Sequence, residues 1–530
     1  MGNRLASSSP NEILPLEAYI KELNVDNSIE SLGSTRFMKV ARVANSSGCQ
    51  VWKVFIIPDD TLDLSEYFAE FDRIAAALAN GAPNCAPFRK LHRHAKHAVI
   101  CRPFARLTLF DRFSTRPFTV PIERQWYIYQ LIRALSQSHA AGVVHGDLKS
   151  QNVLVTAAGW VQIADFAFFK PAFLPEDNPS TYTYFFDTSR RQSCYVAPER
   201  ILSQQDIAKL GGLDNRKTFD GLDPSMDIFS LACVILEILH DGHPPFTFAQ
   251  LCRYRSMLES DANIFIDKLT APTGPLAPVL RRMLSRDPKK RPSAEAILKE
   301  PSIFPEILPY LFNYLNIFRP KDTATSTCSQ DEYLSQPANA MEADDVIVKL
   351  IHDQNTLLAR LSADDAPDDA AVFFVSLITS NLRAIRSPST RVNAMRLLVA
   401  LCAHPKTSPS IGLQRVLPYL VSQLQVPRSD AQIGAFAVDA IAHLVVGTPD
   451  RPCIPETLED SLIFIDYLFP KFEQLLTERA GPQTFILRAL AKHLGRFAEC
   501  AHRFSRVRKD LKARAANRDE DVVGTAEGTT

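Results

Sequence analysis

The sequence lacks the features that would announce several protein classes. Its ten cysteines are scattered, with no C-x-x-C pair and no Cys/His cluster at zinc spacing, which excludes a disulfide framework and a zinc finger. A reduced, cytosolic, metal-ligand-free chain is expected. Excess charge of either sign is also missing: 59 basic residues balance 59 acidic ones, so no global field draws the chain to nucleic acid. Long apolar runs are absent. The most apolar stretch, "IFSLACVILEIL" (Ile228–Leu239), is broken by Ser230 and Glu237 and falls short of the ~18 residues of a membrane span, so it reads as a buried core helix. No charged n-region followed by an apolar h-region opens the chain.

At 530 residues the chain exceeds one core, and its pattern changes along its length. Residues 28–318 alternate short β-branched runs with helical periodicity. Residues 319–344 are polar and hydroxyl-rich, as a solvated linker is. From 345 to 502 the pattern is helical throughout, and 503–530 form a basic, then acidic, tail. Within the helical part, "STRVNAMRLLVALCAH" and "DAQIGAFAVDAIAHLV" superimpose at an offset of 42 residues, and "PQTFILRALAKHLGRF" (Pro482–Phe497) repeats the pattern. Helix pairs at that period suggest a HEAT or armadillo solenoid, a surface for binding proteins.

Chemistry is concentrated in the first part. "HGDLKSQNVL" (His145–Leu154) follows an amphipathic helix with Ile128, Leu131, Ile132 and Leu135 at i, i+3, i+4 and i+7. In it Asp147 would orient an acceptor hydroxyl and take its proton, Lys149 would neutralise a migrating phosphoryl group, and Asn152 would hold magnesium. A hairpin through "NVLV" and "VQIADFA" ends in Asp165, thirteen residues after Asn152, where D-F-G would place a second magnesium ligand; Ala167 replaces the glycine. "APE" (Ala197–Glu199) and Arg291 supply an expected buried ion pair, and Asp227 opens the apolar helix where it would hold the backbone of the loop that carries Asp147. Upstream, "VWKVF" puts Lys53 on a strand as a phosphate ligand, with Glu70 as its ion-pair partner and Glu66 as the alternative. The preceding "SLGSTRF" has only Gly33 where glycines would cradle phosphate, so weaker or differently posed nucleotide binding is expected.

In this order and spacing, these residues resemble the protein-kinase fold. The expected architecture is an α+β bilobal kinase fold followed by an all-α HEAT/armadillo-like solenoid. Gly146 stands where the kinase pattern H-R-D has arginine, which implies loss of a phosphate-responsive switch and an untouched Asp147. Together with "MGNRLA", "LGSTRF" and "STRPF", the stretch "FLPEDNPSTYTYFFDTSRRQSCYVAPER" (Phe173–Arg200) is similar to the regulatory protein-kinase subunit of class III phosphatidylinositol 3-kinase complexes, the myristoylated vacuolar-sorting kinases. The resemblance implies ATP and Mg²⁺ as cofactors and serine/threonine kinase activity of low rate, or else a pseudokinase scaffold with a structural nucleotide. It also implies an acyl chain on Gly2. The implied partners are the lipid-kinase catalytic subunit and its other regulatory subunits, with no nucleic acid, on endosomal or autophagic membranes facing the cytoplasm. That family carries a C-terminal WD-repeat propeller, and no such repeat follows Phe497 in this sequence.

Overall fold

The computed structural model describes residues 28–304 apart from short stretches, the longest being 210–220, and beyond them chiefly residues 388–403, 413–424 and 431–448. The expectations for Gly2, the linker 319–344 and the tail 503–530 lie outside the described residues. The chain divides into two compact units, the first running to Phe304.

In the first unit, strands β1 (Ser28–Ser34), β2 (Met38–Asn45), β3 (Gly48–Ile56), β5 (Lys90–Arg93) and β6 (His97–Pro103) form an antiparallel sheet in the order β1-β2-β3-β6-β5. Strand period two decides what each face carries. Trp52 and Val54 join Ala41, Val43, Val99 and Cys101 in one apolar cluster, whereas Phe55 packs with Phe71, Phe88 and Ile100 in another. Lys53, in phase with Phe55, is therefore turned toward the second face. Helix α1 (Ser65–Ala79) buries Phe71, Ile74 and Leu78, its i, i+3, i+7 stripe.

Below the sheet lies a helical lobe. Its central helices are α3 (Pro121–Ala140), which follows the short α2 (Leu109–Thr115), and later α6 (Pro224–Leu239). The anticipated hairpin is β8 (Val153–Val155) and β9 (Val161–Ala164), flanked by β7 (Leu107–Thr108) and, in parallel, β4 (Cys85–Ala86). After β10 (Leu174–Pro175), α4 (Pro179–Phe185), β11 (Ile201–Leu202) and α5 (Gln204–Lys209), the chain enters α6. Asp223 caps that helix by accepting from Ser225 N at 2.8 Å, and Pro224 follows at its first turn.

The two polar residues that interrupt α6 have defined partners. Ser230 Oγ donates to the Tyr195 carbonyl at 2.7 Å, and the buried Glu237 carboxylate accepts from Ser150 Oγ and Tyr195 Oη, both at 2.9 Å. Buried polar groups of this kind are tolerated because they are bonded. They tie the segment after Asp147 and the segment before Ala197 to one core helix. Among the described residues, no helix is long and apolar enough to cross a membrane.

In the second unit, helices α7 (Pro388–Ala403), α8 (Leu413–Gln423) and α9 (Ala431–Val446) are described, and α9 packs on both others. The two stretches offset by 42 residues are thus α7 and α9, in contact, with Met395, Leu398, Ile433 and Ile441 buried. The third stretch lies mostly outside the described residues; His493 Nε2 and Lys492 Nζ approach Asp439 Oδ1 of α9 at 2.8 and 3.2 Å.

Candidate active site

The loop after α3 is suspended from α6. The backbone N–H groups of His145 and Gly146 donate to the two oxygens of Asp227 at 2.7 and 2.9 Å, and His139 Nε2 lies 3.0 Å from the same carboxylate. Burial opposes ionisation of Asp227, but His139 and these N–H groups outweigh it and hold its pKa below the ordinary range. The His145 ring, fully buried, contacts the Ala164 carbonyl at 2.9 Å, and burial lowers its pKa. Its ring lies 4.6 Å from that of Phe166, tilted by 38°, and Ala167 N donates to the His145 carbonyl at 2.9 Å. The catalytic loop and the D-F-A turn are thereby held together.

Asp147 and Asn152 meet within that loop. Asn152 Nδ2 donates to the Asp147 carbonyl at 2.7 Å and to its Oδ2 at 2.9 Å. Lys149 Nζ lies 3.4 Å from the same oxygen and donates to the Phe186 carbonyl at 2.8 Å. Burial would raise the Asp147 pKa, yet Lys149 and a further lysine, Lys170, keep it below its usual value.

Asp165 takes a left-handed backbone conformation, φ 62°, which costs a residue with a Cβ free energy. Two cations fix it there: Lys53 Nζ at 2.9 Å from Oδ2 and Arg102 Nε at 3.4 Å from Oδ1. Against the effect of burial, Lys53 and Arg102 hold the Asp165 carboxyl far below the carboxylate range.

The expected Lys53–Glu70 pair is not formed. Glu70 instead binds Arg73 with both oxygens, at 2.6 and 2.7 Å, and Arg73 also donates to the Gly142 carbonyl at 3.2 Å. The reason is local: Arg73 stands one turn along the same helix, within easy reach of Glu70. Glu66 is exposed on the first turn of α1 and does not replace it. Gly33 lies in β1 at a register irregularity between Ser31 and itself; the residues that follow, 35–37, are outside the described set. Arg291 grips Glu199 through two bonds, of 2.6 and 2.8 Å, and donates also to the carbonyls of Ser225 and Ser285.

Three functional neighbours gave no sequence signal. Arg102 was an ordinary residue of a strand, and Lys170 an ordinary loop lysine five residues beyond Asp165. Arg200 follows A-P-E directly and is 2% exposed. Its guanidinium donates to the carbonyls of Gly146 at 2.6 Å, Ala172 at 2.6 Å and Pro171 at 3.0 Å, bolting the catalytic loop to the segment after D-F-A. Gly146 also has a structural reason of its own. Its φ is +74°, and a Cβ there would fall 2.8 Å from Leu222 Cδ1.

With this geometry in hand, the likeness to known proteins has a place to attach. Residues 27–303 match the protein kinase domain, and residues 374–529 match the domain described as PIK3R4-like, middle domain. A serine/threonine-protein kinase VPS15 of Komagataella pastoris is 31% identical over 94% of this chain and 38% of its own length. The VPS15 kinases of Arabidopsis thaliana and Saccharomyces cerevisiae are 29% and 26% identical over 90% and 92% of this chain, in each case 36% of theirs. The chain therefore spans less than two fifths of the length of these relatives. The kinase-domain match covers more than half of the chain, which belongs to the protein-kinase family, with the VPS15 serine/threonine-protein kinases among its relatives.

Proposed function

We propose that residues 28–318 act as a serine/threonine-kinase-type domain of low activity that binds ATP with Mg²⁺. One observation carries the reading: Lys53 of the sheet pairs with Asp165 at 2.9 Å, Asn152 donates to Asp147 at 2.9 Å, and the bond from Ala167 N to the His145 carbonyl ties the loops that carry the two pairs. Lys53 would take nucleotide phosphate, and Gly33 would lie over it. Asp147 would accept the proton of the acceptor hydroxyl as its oxygen bonds to the terminal phosphorus and the bond to the departing nucleoside diphosphate breaks. Lys149 would balance charge on the transferring group. His145, Glu199, Asp227 and Arg291 hold these residues in position.

The donor set fits magnesium. Asn152 uses its amide N–H group on Asp147, which leaves the amide oxygen for a cation, and Asp165 supplies carboxylate oxygens; hard oxygen ligands suit Mg²⁺. When bound, the metal would neutralise phosphate charge. The test is nucleotide affinity with and without Mg²⁺ in the wild type and in Lys53→Met, paired with phosphate transfer by wild type and Asp147→Asn. If neither magnesium nor Lys53 affects binding, the cleft is no nucleotide site; if Asp147→Asn transfers as well as wild type, no enzyme is present.

A second reading, a scaffold whose nucleotide is structural, draws support from Lys170, which already occupies Asp147. Under either reading, the likeness to VPS15 kinases and the PIK3R4-like domain support a regulatory subunit. It would anchor and regulate a class III phosphatidylinositol 3-kinase at endosomal or autophagic membranes, through an acyl chain on Gly2 and a HEAT-like region over 345–502. Mass spectrometry of the natively purified chain tests this: an unmodified Gly2 and no co-purifying lipid-kinase subunit would refute it.

A further inference from the structure

One oxygen of Asp147 is already engaged by the chain itself. Lys170 Nζ stands 2.5 Å from Asp147 Oδ2, the oxygen that also accepts from Asn152 Nδ2 at 2.9 Å and has Lys149 Nζ at 3.4 Å. A carboxylate oxygen offers about two lone-pair directions, so a substrate hydroxyl cannot join it there without displacing a donor. Lys170 is 8% exposed. Its backbone N–H donates to the Ala167 carbonyl at 3.3 Å, so the turn that follows D-F-A sets its position.

The surroundings close over this contact. The Phe186 ring lies 5.0 Å from Lys170 Nζ and 5.1 Å from the Arg200 guanidinium, a cation on each contact, while its carbonyl accepts from Lys149. Gly146, Asp147, Lys149, Tyr182, Phe186 and Arg200 line a small, partly open recess of about 10 Å³ beside this contact.

We infer that Lys170 is an internal occupant of the phosphate-acceptor position, a plug that denies Asp147 Oδ2 to protein hydroxyls. This rests on the proposed role of Asp147. The plug makes retention of nucleotide, rather than its turnover, the resting behaviour of the domain, and an acceptor that delivers its proton to Oδ2 must first displace Lys170.

The test uses the full chain and three variants. Initial rates of phosphate transfer to dephosphorylated casein are compared for wild type, Lys170→Met, Lys170→Arg and the double variant Lys170→Met/Asp147→Asn, alongside Kd for a fluorescent ATP analogue. Expected is a rise of about tenfold or more for Lys170→Met, the equivalent of one buried polar contact of ordinary strength. Kd should stay within about threefold, Lys170→Arg should restore the low rate, and the double variant should lose the gain. An unchanged or lower rate in Lys170→Met with Kd preserved overturns the plug and leaves the nucleotide site standing. Absence of nucleotide binding in the wild type overturns both. A measurement on unaltered protein covers the case in which Lys170→Met does not fold: pulsed acylation should spare Lys170 relative to Lys299, whose side chain is 73% exposed. Equal labelling of the two would refute the plug.

Discussion

Replacing Gly146 by alanine should destabilise the first unit through a mechanism the structure lets one isolate. A left-handed backbone costs a residue with a Cβ about 1–2 kcal/mol. At Gly146 the new methyl would also meet Leu222 Cδ1 at 2.8 Å, and turning the end of that leucine aside adds about 1 kcal/mol. Gly142 is the control: its φ is +70°, and nothing lies within 4 Å of a Cβ built there. Gly142→Ala therefore carries the backbone cost alone, and the two variants should differ by ~1 kcal/mol. In a unit of this size that is roughly 2–3 °C in Tm. Both would be followed by differential scanning fluorimetry and checked by urea titration at constant m-value. Gly146→Arg, which restores the residue of the kinase pattern, should be no more stable than Gly146→Ala, since it bears the same strain. A Gly146→Ala protein as stable as wild type, or as Gly142→Ala, would refute this account.

Other consequences are open to measurement. Arg200→Met leaves the buried carbonyls of Gly146 and Ala172 and the half-buried one of Pro171 without this donor, at about 1–3 kcal/mol for each buried group before relaxation, so the urea midpoint should fall and amides of residues 170–186 should exchange faster with deuterium. Glu237→Leu strands the hydroxyls of Ser150 and Tyr195, and a loss of about 2–4 kcal/mol is expected by urea unfolding; Glu237→Gln, which keeps an acceptor, should lose clearly less. Burial pushes the Lys170 ammonium down from 10.5 to about 8, despite attraction to Asp147, with Lys149 and Lys53 adding repulsion. Between those values the unfolded chain keeps a proton that the folded chain has released, so stability rises with pH across that window. The stability difference between wild type and Lys170→Met should climb from pH 8 to 10; a flat difference would contradict the shift.

Legibility in the sequence followed sequence distance. The loop His145–Asn152, the hairpin to Asp165 and the apolar helix α6 are local patterns, so spacing and periodicity were sufficient to find them. Partnerships were harder. Glu70 was assigned to Lys53 by analogy of position, but a helix neighbour at i+3 and a carboxylate from the opposite lobe took the two charges instead. Glu237 looked like a flaw in an apolar run because its partners, Ser150 and Tyr195, are 87 and 42 residues away. Arg102, Lys170 and Arg200 belong to no periodic pattern, and their roles exist only once two lobes and a returning segment enclose them. Gly146 was read as a missing arginine; its positive φ, which no composition reveals, adds a backbone reason for glycine there.

The grip of Arg200 on three main-chain oxygens has an implication for control. Carbonyl groups do not titrate in the biological range, and no phosphatase removes them. A bolt fastened to such acceptors is set when the polypeptide folds, and enzymes that add or strip phosphate have no handle on that bolt.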